Sequence, residues 1–254
     1  MSTPISRVGT AMWHLQAFDS VTSTNDLARD LPAWSAVRAQ CQTAGRGRFG
    51  RTFVSDDGGL WLSAVLPAVG GPARWGGFSL MVGNHIRILL GGFNIPDARL
   101  RWPNDLMVRN QKLGGLLIEQ GRNETLTVGL GLNVKNTPWT MAPDLASTTT
   151  RLVDILPDGP DVSDLTVPVL DALADAHEAM LRGGLALAIR EFNAHHRPVQ
   201  VNIVQPDGKP SEGEFIGLDT AGNLRLIDAS GDSVTVPHTQ VERLTEKTTS
   251  PFSS

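Results

Sequence analysis

The sequence predicts an α+β fold: a mixed or antiparallel sheet with helices, followed by a small C-terminal β-barrel. Three observations lead there. The apolar runs at 115–119 and 125–132 are separated by Gly121-Arg122-Asn123, which reads as a hairpin turn rather than a parallel crossover. The helical segments fall irregularly between strands, against a doubly wound sheet. From Val199 onward the chain alternates apolar and polar residues, with turns at Pro206-Asp207-Gly208, Thr220-Ala221-Gly222 and Ser230-Gly231. The change at His196-Arg197-Pro198 sets a boundary. Residues 1–196 form the larger domain, 197–247 the barrel and 248–254 a frayed tail.

The elements follow in order. The first coherent unit begins near Trp13, and Ser23-Thr24-Asn25-Asp26 offers N-cap chemistry to a helix that Pro32 stops. Ala36 to Gln42 reads as a short strand. Thr43 to Gly59 holds five glycines and three arginines and is too polar for a core element, so it is a long loop. Leu60 to Leu66 is a buried strand closed by Pro67. Phe78 to Leu90 has helical spacing and ends at Gly91-Gly92. Arg99 to Trp102 is a strand stopped by Pro103. Residues 135–150 read as loop. Asp164 to Leu181 and Leu185 to Ala194 are helices separated by Gly183-Gly184.

Composition excludes several classes. The chain has 254 residues, 41% hydrophobic and 19% charged, which is ordinary for a folded protein. A net charge of −4 disfavours a partner held mainly by bulk phosphate attraction. The acids Asp207, Glu212, Glu214, Asp219, Asp228 and Asp232 speak against a nucleic-acid role for the barrel. One cysteine, Cys41, excludes an intramolecular disulfide and a cysteine-rich zinc site. The N-terminus lacks signal-peptide character, and the apolar region Trp75 to Phe93 is broken by Asn84, His85 and Arg87. The expectation is a cytoplasmic protein without a membrane span.

The most informative stretch is Gly45-Arg46-Gly47-Arg48-Phe49-Gly50-Arg51. It fits G-x-G-x-x-G, but no helix follows and no acid stands between Gly58 and Pro96, so a dinucleotide fold is not indicated. Glycines let backbone N–H groups approach an anion, and three guanidinium groups suit phosphate oxygens. A solvated loop of three like charges without an acid among them is the weaker reading. Downstream, Arg101-Trp102-Pro103-Asn104-Asp105 ends a strand, and Lys112 precedes Gly114-Gly115 and a buried run. A lysine there either faces a pocket or is an ordinary surface residue. Gly129-Leu130-Gly131-Leu132-Asn133 places two glycines in a strand, as where another group approaches closely. Cys41 reads as packing and Ser23-Thr24-Asn25, taken alone, as a cap. His195-His196 reads as a helix end, where imidazolium charge is favourable.

Together these blocks resemble the biotin protein ligases. Ser23-Thr24-Asn25, Gln42 to Arg51, Arg101 to Leu106, Lys112 to Gly115 and Gly129 to Asn133 occur in that family's order over roughly residues 15–245. The resemblance implies a class II synthetase-like catalytic domain (1–196) and an SH3-like C-terminal barrel. It implies a reaction in which biotin and Mg·ATP give biotinyl-5′-AMP, whose biotinyl group passes to a lysine of a biotin carboxyl carrier domain, as in acetyl-CoA carboxylase.

By the same resemblance Ser23, Thr24, Asn25 and Gln42 line the biotin pocket. Gly45, Arg46, Gly47 and Arg48 close over biotin and adenylate, and Arg51 contacts ATP phosphates. Phe53 stacks at the site, where relatives often carry Trp and its hydrogen bond. Lys112 bridges the biotin carboxyl and the α-phosphate. Asn104, Asp105, Gly115 and Asn133 surround the nucleotide, with Asp105 a partner for Mg²⁺ or the acceptor lysine. Lys112, Arg48, Arg51 and Asp105 are the expected catalytic residues.

The Ser55-Asp56 pair, where relatives have Ser-Pro, implies a freer loop. Only about a dozen residues precede the catalytic unit, so no DNA-binding domain or repressor activity is expected. Monomer and homodimer both remain open. The rivals are a lipoate or octanoyl transferase and a non-catalytic biotin-binding paralogue.

Overall fold

The structure is a computed structural model that describes residues 2–6 (backbone only), 12–121, 124–205, 207–208, 210–237 and 240–247. Arg122-Asn123 of the expected hairpin turn, Pro206 of a barrel turn and the tail at 248–254 lie outside them.

Among the described residues the strands form two sheets. The first holds β1 (Ser2–Ser6), β2 (Met12–Val21), β3 (Ser35–Gln42), β4 (Leu60–Pro67), β5 (Ala98–Arg101), β6 (Asp105–Val108), β7 (Gln111–Gln120) and β8 (Thr125–Leu132), in the order β1-β2-β3-β4-β8-β7-β6-β5. Only β2 and β3 pair in parallel; the other ladders are antiparallel, so the sheet is mixed as expected. The second sheet is antiparallel, with β9 (Val199–Val204), β10 (Pro210–Leu218), β11 (Leu224–Ile227), β12 (Ser233–Val236) and β13 (Arg243–Glu246) in the order β12-β11-β10-β9-β13.

Alternation sorts the two faces of the large sheet. Leu60, Leu62 and Leu66 on β4, with Leu126, Val128, Leu130 and Leu132 on β8, point toward α2 (Phe78–Gly92) and, after the one-turn α3 (Leu152–Ile155) in the chain, α4 (Val162–His195), and build the main core. On the opposite face α1 (Thr24–Ala28) sets Ala28 against Val37 and Val65. Helix α4 opens with a capping box in which Asp161 and Asp164 serve each other's backbone N–H groups. Gly184, at φ 56°, breaks it into the two helical stretches read from the sequence.

β1, β2 and β6 were not legible. On β2 only Trp13, Leu15 and Val21 are buried, so the apolar signal is sparse. β6 is four residues long and follows a Pro turn.

The C-terminal sheet is tied to the first domain by polar contacts. Asn193 Nδ2 donates to Leu218 O at 2.9 Å, and Leu218 N donates back to Asn193 Oδ1 at 2.9 Å. Arg99 grips Glu246 with two hydrogen bonds of 2.8 and 2.5 Å.

Two histidines, His177 buried and His196 half-buried, link the fold to pH. His177 stacks on Trp75 at 5.0 Å, and its Nε2 lies 2.8 Å from Pro67 O. His196 packs between Phe192 and Phe215, with Nε2 2.9 Å from Phe215 O. In each case burial outweighs that bond and holds the imidazole below its ordinary value of 6.5. His195-His196 does end the helix as expected, but a favoured charge on His196 is corrected: desolvation wins over the dipole. The unfolded chain binds protons first, so stability present above about pH 6.5 is lost as pH falls toward the folded values. We expect the melting temperature to drop between about pH 7.5 and about pH 5.5, above the carboxylate range. In His177→Gln that drop should be smaller; an unchanged slope would contradict the assignment.

Candidate functional site

The site lies on the α1 side of the large sheet, where two cross-strand rows form its floor. One row runs Trp61, Gly131, Gly115, Asp105 across β4, β8, β7 and β6; the next runs Ser63, Gly129, Leu117. A Cβ on Gly131 would sit 2.6 Å from the Phe53 ring, and one on Gly129 would collide with Asn25 Oδ1. The glycines are absences of side chain that other groups occupy.

At one end is a buried polar pocket. Thr24 N donates to Gln42 Oε1 at 2.8 Å. Ser63 Oγ lies 2.7 Å from Thr24 Oγ1 and 2.6 Å from Asn25 Oδ1. Asn25 Nδ2 donates to Glu119 Oε2 at 2.8 Å, and Gln42 Nε2 to Ser55 Oγ at 2.8 Å. Ser63 and Thr24 each have one hydroxyl proton, and Thr24 Oγ1 also lies 3.1 Å from Gln42 Oε1, so the two hydroxyls share fewer protons than they have acceptors. Ser23 occupies the N-cap position without a side-chain capping bond, and α1 has only five residues. The block therefore builds a pocket rather than a cap. Sequence reasoning missed Ser63, whose signal was one hydroxyl inside the apolar run of β4.

At the other end are the cations. In a regular strand Lys112 and Gly115, three apart, would face opposite sides. The ladder shifts register between Leu106 and Met107, and this irregularity in the β6–β7 pairing brings Lys112 back over the floor. Its Nζ is 2.6 Å from Asp105 Oδ1 and 5.5 Å from the centre of the Phe53 ring. Lys112 lies inside β7, not before it as the sequence suggested. Asp105 is also held by Arg101, whose Nη2 is 2.6 Å from Oδ2. Burial alone would raise the Asp105 pKa, but the charges and hydrogen bonds of Lys112 and Arg101 outweigh it and hold the carboxyl below its usual range.

The arginine loop closes over the cleft. Arg46 pairs with Asp26 at 2.5 Å and Glu119 at 3.4 Å. Arg51 pairs with Glu242 of the C-terminal domain at 3.8 Å. Arg48 has no carboxylate at ion-pair distance among the described residues. Burial, then the Arg51 charge, lower its pKa, with Asp105 opposing. Phe53 anchors the loop's far end edge-on to Trp61, with ring centres 5.8 Å apart. The Ser55-Asp56 pair does not free the loop. Asp56 accepts from Thr137 N at 2.7 Å and Asn136 Nδ2 at 3.3 Å, and Ser55 O accepts from Gln42 N at 2.9 Å.

Ser23, Thr24, Asn25 and Gln42 thus share one cleft with Arg46, Gly47, Arg48, Arg51 and Phe53, and with Asn104, Asp105, Lys112 and Gly115. Asn104 is fixed by donating Nδ2 to Leu116 O at 2.8 Å. Two expected residues lie outside the lining. Gly45 packs against Phe53 and Ser55 within the loop. Asn133 is buried and donates to Thr150 O at 3.2 Å, knitting the strand end to the next segment. Cys41 is also outside the lining. Glu242, Arg243 and Leu244 join the cleft from the C-terminal domain, a contribution with no local motif.

The cleft's volume is ≈ 180 Å³, below the roughly 300–1,000 Å³ of sites for drug-sized ligands. The arginine loop is the wall of the cleft least held by buried side chains, and so the one best able to shift for an acid and a nucleotide together. Residues 48–50 contain no buried side chain, and Phe49 is 57% exposed. We predict trypsin cleavage at Arg48 and Arg51 in the free protein, slowed when biotin and ATP are added together; equal rates would contradict closure.

A Mg²⁺ site does not emerge from these side chains. Asp105 already faces two cations at 2.6 Å, and no group of three His, Cys, Asp or Glu suited to a metal occurs among the described residues. Mg²⁺ needs only one or two carboxylates beside substrate phosphates, so Asp105 as its partner stays an expectation, with both oxygens turned here to Lys112 and Arg101.

Residues 16–134 match the Biotin/lipoate A/B protein ligase family. A biotin–[acetyl-CoA-carboxylase] ligase of Mycobacterium tuberculosis is 30% identical over 237 residues, covering 86% of this chain and 85% of that protein. A ligase of the same name from Paracoccus denitrificans is 29% identical over 226 residues, covering 85% and 92%. The bifunctional ligase/repressor BirA of Escherichia coli is 35% identical over 123 residues, 45% of this chain and 38% of that protein. In fold, the chain is similar to the biotin protein ligase of Aquifex aeolicus in complex with biotin and ATP, with a TM-score of 0.78 at 22% identity, covering 92% and 99%. With 85% of the mycobacterial ligase covered at 30% identity, this chain belongs to the biotin protein ligase family.

Proposed function

We propose that this chain joins the carboxylate of biotin to ATP, giving biotinyl-5′-AMP and pyrophosphate, and then passes the biotinyl group to a lysine amine of a biotin carboxyl carrier domain, releasing AMP. The observation that carries this reading is the union, in one cleft, of a polar pocket with Arg48, Arg51 and Lys112. Joining a carboxylate to a triphosphate brings two anions together and builds charge on phosphoryl oxygens. Fixed cations at that point lower the barrier. Arg48, with no carboxylate at ion-pair distance among the described residues, is the cation with most to gain from an arriving phosphate. Mg²⁺ would come with the ATP phosphates, and no step is derived through it.

The polar pocket supports biotin over lipoate. A ureido group carries one carbonyl acceptor and two N–H donors, and the network of Thr24, Asn25, Gln42 and Ser63 presents both kinds of partner. A dithiolane ring offers neither donor nor acceptor of that kind, so it could not replace any hydrogen bond of the network that it displaced, a costly mismatch. Calorimetry with the two acids tests this choice.

The C-terminal sheet takes part through Glu242, and the domain division at residue 197 belongs to the same proposal. None of the described helices is long and apolar enough to cross a membrane. A single partly exposed thiol, Cys41, fits a reducing compartment such as the cytoplasm. The direct test is incubation with biotin, ATP and a carrier domain, followed by mass analysis. One added biotinyl group, dependent on ATP, supports the reading. An unchanged carrier beside formed adenylate would confine the protein to the first step.

A further inference from the structure

We infer that Arg101 is a positioning residue for the adenylation step, acting through Asp105 to aim Lys112 at the reacting phosphate. The inference rests on the ligase reading above. Arg101 and Asp105 are cross-strand partners at the turn end of the β5–β6 hairpin, and Asp105 pairs in turn with Gly115 on the cleft floor. Each oxygen of Asp105 is committed: Oδ1 to Lys112 and Oδ2 to Arg101, both at 2.6 Å. Asp105 and Lys112 line the cleft, whereas Arg101 does not. Arg101 therefore contacts the reacting groups through the carboxylate, and otherwise acts on them only by its charge.

Two physical consequences follow. The torsion that turns a carboxylate is soft. With Oδ2 clamped, Oδ1 stays fixed toward Lys112 and the ammonium is held over the floor. The second consequence is charge. Lys112 and Asp105 alone would sum to zero, cancelling the cation that the reaction needs. Arg101 restores a net charge of about +1 to the trio, so the field toward an arriving phosphate survives. The Arg101 guanidinium is placed at a desolvation cost: its side chain is 19% exposed and its Nε is buried without a partner. A hairpin clasp alone gains little from such an ion.

The test is biotin-dependent pyrophosphate release by the full chain, with folding checked by thermal melting. Arg101→Gln should lower kcat by about tenfold to a hundredfold, as expected when a catalytic group is misplaced by about 1 Å, while KM for biotin and ATP stays within about twofold. Arg101→Lys should recover most of the rate. In a Lys112→Ala background, Arg101→Gln should cost clearly less than in the wild type, because the aiming of Lys112 is already lost and only the charge effect remains. If Arg101→Gln does not fold, Arg101→Met, with a stem of similar reach, takes its place in both backgrounds. An unchanged kcat, or a full additional loss on top of Lys112→Ala, would overturn the inference while leaving the ligase reading intact. A wild-type chain that releases no pyrophosphate with biotin would instead remove the ligase reading and this inference with it.

Discussion

Lys112→Ala should give a folded protein that still binds biotin but forms adenylate about 10²–10³ times more slowly. The side chain lies 2.6 Å from Asp105 over a floor of glycine, at the junction between the polar pocket and the arginine loop. There it can meet both the acid and the phosphate. Its contribution grows as phosphoryl charge develops, so the loss belongs in kcat rather than in biotin affinity. Stability should change little, because the ion pair is partly exposed and Asp105 keeps Arg101. Stopped-flow pyrophosphate release and biotin calorimetry measure the two quantities separately. Normal release would remove Lys112 from the mechanism. Lost biotin binding with an unchanged maximal rate would make it a ground-state contact.

Gly129→Ala should damage the other end of the site. The new methyl group would overlap Asn25 Oδ1, which cannot retreat without breaking its bonds to Ser63 and Glu119. We expect biotin affinity to fall by about tenfold or more and stability by about 1–3 kcal/mol through overpacking. Gly91→Ala is the control. That glycine lies in the last turn of α2 with open space around its Cβ position, so alanine there should be neutral to slightly stabilising. Equal biotin affinity in Gly129→Ala and Gly91→Ala would mean that the close approach of Asn25 to the sheet has no part in the pocket.

These contrasts show what could be read from the sequence. The arginine loop and the paired strand glycines were legible because each breaks a local rule: charges without partners, and glycine where a strand wants bulk. The long helices and the switch to two-residue alternation at Val199 were legible from periodicity. What stayed hidden depends on register. No local pattern tells that β6 exists, that a register shift returns Lys112 to the Asp105 side, or that Arg101 faces Asp105 across a turn. Ser63 and Glu119 hold Asn25 from behind the pocket lining by cross-strand position alone. Asp56 was misread because the loss of proline suggested freedom, while its carboxylate found Thr137 and Asn136, about 80 residues away in sequence. Glu242 comes from another domain, and only the packing of the two sheets brings it to Arg51.

The central claim is that fixed cations in one cleft drive a carboxylate onto a nucleotide phosphate. Exchange of labelled pyrophosphate into ATP tests it most directly, because label enters only if an acyl adenylate forms reversibly. We predict exchange that requires biotin, is absent with lipoate, and falls by at least about a hundredfold in Arg48→Ala and in Lys112→Ala. Exchange that proceeds without biotin, or that survives both substitutions, would contradict the account.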